Sequence, residues 1–168
     1  MSDAQLHQTD APGDVTLLRR ALLALVLLGA AGLGLELLLL EHFESLLQWI
    51  PLALLAAVLV SGAAAARWPS SRTVRIFQAL MLLCVVAGLV GVFLHFRGNV
   101  EFELEREPLR RGLALFWEAS RGATPALAPG AMSQLGLLGL AFTFRHPALR
   151  RASPARPSGP NVHHPERT

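Results

Sequence analysis

The stretch "GLGLELLLLEHFESLLQWIPLALL", residues 32–55, carries the decision on which the fold rests. An apolar run holding one carboxylate, Glu36, gives way to Glu41, His42, Phe43, Glu44 and Ser45, and then apolar sequence resumes. A helix rises about 1.5 Å per residue and a bilayer core is about 30 Å thick, so roughly 20 nearly uncharged residues are needed to cross it. Reading outward from the polar break, residues 21–40 contain Glu36 as their one charge and residues 46–66 contain none, so the stretch is a membrane hairpin and its turn. Two more windows meet the same requirement: 76–96, with His95 near its end, and 124–144, which is uncharged. Backbone N–H and C=O groups inside hydrocarbon must be paired within the segment, so these windows are read as helices despite their Val and Ile.

The expected fold class is therefore an all-α integral membrane protein. Four transmembrane helices form a bundle within residues 17–145, between flexible cytoplasmic tails at 1–16 and 146–168. Composition agrees: 52% of the residues are hydrophobic and only 16% charged, more apolar than an ordinary soluble domain. The high pI does not indicate nucleic acid. Net charge is only +3, and the Arg residues lie between apolar runs without a nucleic-acid-binding motif. Cys84 is the one cysteine, which excludes an internal disulfide or a CxxC metal pair and suits a small packing residue.

Boundary residues support the windows. Arg19 and Arg20 precede the first; Trp49 and Pro51 open the second, which Arg67, Trp68 and Pro69 end; Arg75 and Arg97 bracket the third; Pro125 begins the fourth and Arg145, His146 and Pro147 stop it. Counting Arg near the helix ends places both termini in the cytoplasm, with ten Arg inside and five in the outer loop 97–123. A bacterial inner membrane fits the composition. A rival parse treats "RRALLALVLLGAA" as a cleaved signal peptide, but the apolar run continues through Leu40 and is long enough to span.

Small residues four apart mark expected helix contacts: Ala53, Ala57, Ser61 and Ala65; Ala30 and Gly34; Cys84 and Gly88; Ala87 and Gly91; in the fourth segment Gly136 and Gly139, three apart, are the counterpart. In the outer loop, "NVEFELE" alternates apolar and acidic residues and predicts a short strand. "EPLRRGLALFWEASR" sets Leu109, Leu113, Phe116 and Trp117 on one stripe and predicts an extracytoplasmic interfacial helix, with Glu107 and Arg111 spaced to pair.

No Walker loop, nucleophile elbow, HExxH or CxxC is present, so no soluble-enzyme chemistry has a motif behind it. What remains is position. Glu36, Glu41, His42 and Glu44 end the first helix, His95 and Asn99 end the third, and Gln134 is the polar side chain deep in the fourth. His42, His95 and Glu41 are candidate ligands for a divalent metal or, through the imidazoles, a haem iron; Glu36 and Gln134 are intramembrane polar candidates; Glu44 and Asn99 are outer-face candidates. Against this, an Arg-free polar turn contains such residues anyway, and Glu36 and His42, six apart, do not share a helix face. The preferred function is a non-enzymatic membrane component in the lipid bilayer, acting through helix contacts or its outer loop, with no cofactor. The alternatives are a subunit of an oligomeric transporter or channel, or a metal- or haem-binding redox protein. Homo-oligomers or other membrane proteins are the expected partners, and nucleic acid is not.

Overall fold

The computed structural model describes residues 11–122 and 129–150. Among these residues there are helices and no strand: α1 (Ala11–Leu39), α2 (Leu46–Arg67), α3 (Ser71–Arg106), α4 (Gly112–Ser120), α5 (Gly130–Thr143) and a 3₁₀ turn at Pro147–Leu149. Helices α1, α2 and α3 are each long and apolar enough to cross a membrane. Helix α5 is apolar but has 14 residues, about 21 Å at 1.5 Å per residue. This is the architecture of a multi-pass helical membrane protein.

Helix ends follow local chemistry. Helix α1 stops in a Schellman arrangement: the Glu41 N–H donates to the Leu38 carbonyl at 3.1 Å, the His42 N–H to the Leu37 carbonyl at 2.9 Å, and Glu41 takes a left-handed φ of 53°. Ser45 then caps α2, its N–H donating to Gln48 Oε1 at 2.9 Å, so Pro51 falls inside the helix instead of opening it. Ser70 and Thr73 form a reciprocal capping box on α3, with N–H···Oγ distances of 2.9 and 3.1 Å.

Three expectations change. The segment "NVEFELE" is helical, because α3 runs unbroken from Ser71 to Arg106. A lone strand has no partner for its backbone groups, whereas helix geometry pairs them and brings Arg97 to Glu101 at 2.8 Å across one turn. Helix α1 begins at Ala11, ten residues before the apolar window, so part of the expected N-terminal tail is helical. The fourth helix is confined to Gly130–Thr143; the start of the expected 124–144 window, like residues 1–10 and 151–168 of the tails, lies outside the described residues.

Helices α1, α2, α3 and α5 pack in a ring in that order, with α1 and α3 on one diagonal and not in contact. The closest packing is between α3 and α5, and glycine permits it. A Cβ at Gly136 would lie 2.6 Å from the Met81 carbonyl oxygen and 2.9 Å from the Val85 nitrogen, both backbone atoms. Ser133 Oγ donates to the Val85 carbonyl at 2.9 Å. Phe77, fully buried, meets Phe142 edge-on at 5.6 Å, and Val26, Leu55, Val58, Met81 and Cys84 complete the centre. Outside, the ring exposes Leu28, Val60, Leu82, Val86, Leu89, Phe93 and Leu137, an apolar surface that suits lipid and would be an aggregation liability in water.

Candidate functional site: a polar stripe at the end of α3

On α3, residues separated by three, four or seven positions form one stripe. Along most of the helix that stripe is apolar and faces α5, through Phe77, Met81, Cys84 and Gly88. Beyond Gly91, where a Cβ would sit 2.7 Å from the Pro129 ring, it turns polar: His95, Asn99 and Glu103 follow at intervals of one turn.

Each is placed by what covers it. His95 Nδ1 is buried and has no hydrogen-bond partner. Asn99 is 3% exposed and its Nδ2 donates to the Ala119 carbonyl, near the end of α4, at 2.9 Å. Glu103, 5% exposed, accepts from Arg110 Nη1 at 2.7 Å and from Arg106 Nη1 at 3.2 Å. Arg110 also holds Glu107 at 2.8 Å. The expected Glu107–Arg111 pair is thus replaced by Glu107–Arg110, because Glu107 to Arg111 is the turn out of α3 and the two do not occupy one helix. Phe96 and Phe116 pack at 5.4 Å between the polar contacts, and any side chain at Gly122 would collide with Asn99.

A helix forms in that stretch, α4, and it is braced against α3 at both ends: Arg110 on Glu103 before it begins, Ala119 on Asn99 as it finishes. Most of its predicted stripe is left uncovered, with Leu109 at 88%, Leu113 at 81% and Trp117 at 57% exposure.

The α1 candidates sit apart from this stripe. Glu36 is exposed. It follows Gly29, whose Cβ would touch Leu135 of α5, by seven residues, which returns it to nearly the same face about 10 Å further along. That is about the level at which α5 begins. Glu41 and His42 form the Schellman turn, His42 half-buried, and Glu44 is exposed. No hydrogen bond or ion pair joins Glu36, Glu41, His42 or Glu44 to His95 or Asn99, and the helices carrying the two groups are diagonal in the ring. Among the described residues no three of His, Cys, Asp and Glu form a group able to hold a metal. Gln134 is exposed on the outward side of α5.

Glu103 and Arg110 were not among the expected site residues. The signal for Glu103 was its spacing, four after Asn99 and eight after His95, which the strand reading of the same segment obscured. At the opposite end of the bundle a second tie joins α1 to α5: the Arg19 guanidinium donates to the Phe144 and Arg145 carbonyls at 3.2 and 3.1 Å. The His146 ring lies against Phe142 at 5.2 Å, tilted by 56°. Burial, and then the charge of Arg19, hold its imidazole pKa below the ordinary histidine value.

Comparison with protein-family models, characterised proteins and solved structures returns no match. Fold and site together define a class, the multi-pass helical membrane protein, here with a braced helical hairpin projecting beyond one end of its bundle.

Proposed function

We propose that the protein is a small four-span membrane component, of the bacterial inner membrane type, that acts without catalysis through contacts made by its helices and by the α3–α4 projection. Helix α5 is its short fourth span, antiparallel to α3 in the remaining corner, so both termini are cytoplasmic and α4 lies outside at the membrane surface. The observation that carries the reading is the braced projection. Asn99, Glu103 and Arg110 hold α4 to α3, while Leu109, Leu113 and Trp117 are left facing outward. A surface held rigid and apolar serves recognition.

Photo-cross-linkers placed at residues 113 and 117 in native membranes test this. The expected result is a discrete protein adduct at both positions, lost when the neighbouring residue of the pair is changed to Glu. Adducts with lipid alone would remove the contact function. Purified protein with a haem spectrum or stoichiometric metal would instead support the redox reading.

A further inference from the structure

We propose that a second copy of this chain docks on the outward face of α5, with the Gln134 side chains of the two copies hydrogen-bonded to each other across a two-fold axis along the membrane normal. The proposal rests on reading α5 as the fourth span.

The neighbouring residue Leu135 packs at Gly29, near the middle of the apolar run of α1, so Gln134 lies at mid-depth. It is exposed, and its side-chain amide makes no hydrogen bond within the chain. An amide without partners in hydrocarbon is costly, and its two N–H donors and one carbonyl acceptor need a partner from outside the chain. Helix α5 makes its contacts with α1 and α3 through other positions, Leu135 against Gly29 and Gly136 against Met81. The free face includes Leu137 and, spaced three, four and three apart in the repeat of a helix seam, Ala131, Gln134, Leu138 and Ala141, all exposed. Alanine at the two ends of the seam, Ala131 and Ala141, lets two backbones approach there.

What selects a second copy as occupant is self-complementarity. Two copies inserted in the same sense and related by an axis along the normal bring each residue opposite itself at the same depth. A carboxamide both donates and accepts, so Gln134 satisfies Gln134. The Glu36 carboxylate would meet only a like charge under the same operation. Arg145 ends the seam beyond α5, outside the hydrocarbon, where repulsion between copies is screened by water and salt.

The test uses the full chain in native membranes with Cys84→Ala as background and single cysteines introduced as Ala131→Cys, Ala141→Cys and, on the outward face of α3, Leu82→Cys. Mild oxidation is expected to give dimers from positions 131 and 141 and not from 82. Adding Gln134→Leu, which keeps the shape and removes the amide, should lower the dimer fraction to that of an association about tenfold weaker, while Gln134→Asn retains part of it. No cross-link at 131 or 141 overturns the proposal, as does an undiminished cross-link with Gln134→Leu. Rapid modification of the residue-141 cysteine by a membrane-impermeant maleimide shows that α5 is not embedded and overturns both the docking and the fourth span. A protected but monomeric chain overturns the docking alone.

Discussion

Glu41 occupies a left-handed conformation, φ 53°, at the position that ends α1. Glycine adopts that conformation without the Cβ clash. Glu41→Gly is therefore expected to raise stability by about 0.5–1 kcal/mol, read as a higher denaturant midpoint in detergent. Gly136 is the converse case. Beside the Val85 Cγ2, a methyl group would meet two backbone atoms of α3, which cannot swing aside, so Gly136→Ala is expected to cost about 1–3 kcal/mol and part α3 from α5. His146 sets a pH dependence. Its folded pKa lies below the unfolded one, so the stability it contributes is complete above the ordinary value near 6.5 and is lost as pH falls through the lower folded value. Thermal unfolding in detergent followed from about pH 7.5 to about pH 5 should show the loss, and His146→Gln should flatten it. Single residues were unevenly legible in the sequence. Asn99 stood out as polar at a helix end, but Glu103, one of five glutamates in the outer loop, became distinct only when α4 buried it.

At the scale of elements, α2 was the most legible, and its observed span Leu46–Arg67 exceeds the expected window by one residue. Charge-free composition and a polar residue on each flank define such a helix without reference to anything else. Helix α3 was legible only to the membrane boundary. Beyond it, alternating glutamates imitate a strand, and the choice depends on the ion pairs formed one turn apart and on the cover supplied by α4, which local pattern does not contain. The brace makes its own prediction. Glu103→Ala removes both ion pairs at the root of α4, and charge-assisted hydrogen bonds of this kind contribute about 1.5–3 kcal/mol. Backbone amides of α4 should exchange with solvent faster by the corresponding factor while those of α2 remain unchanged, a pattern readable by hydrogen exchange in detergent.

In the whole molecule, the windows for α1, α2 and α3 could be read from length and composition because a bilayer imposes both. Which helices are neighbours could not, since small residues are common throughout the chain. The diagonal separation of α1 and α3 is a property of the ring as a whole, and for that reason Glu36 and His95, each a reasonable candidate by position, do not meet. Cysteines placed in the two tails should be modified from the same side of the membrane if α5 crosses it, and from opposite sides if only three helices do. The unbroken course of α3 has a mechanical consequence. A rod of 36 residues is about 54 Å long, and transmembrane helices change tilt when bilayer thickness changes. Pivoting such a rod at its first turn by about ten degrees carries its far tip sideways by about 9 Å, and α4, fastened near that tip, would travel with it.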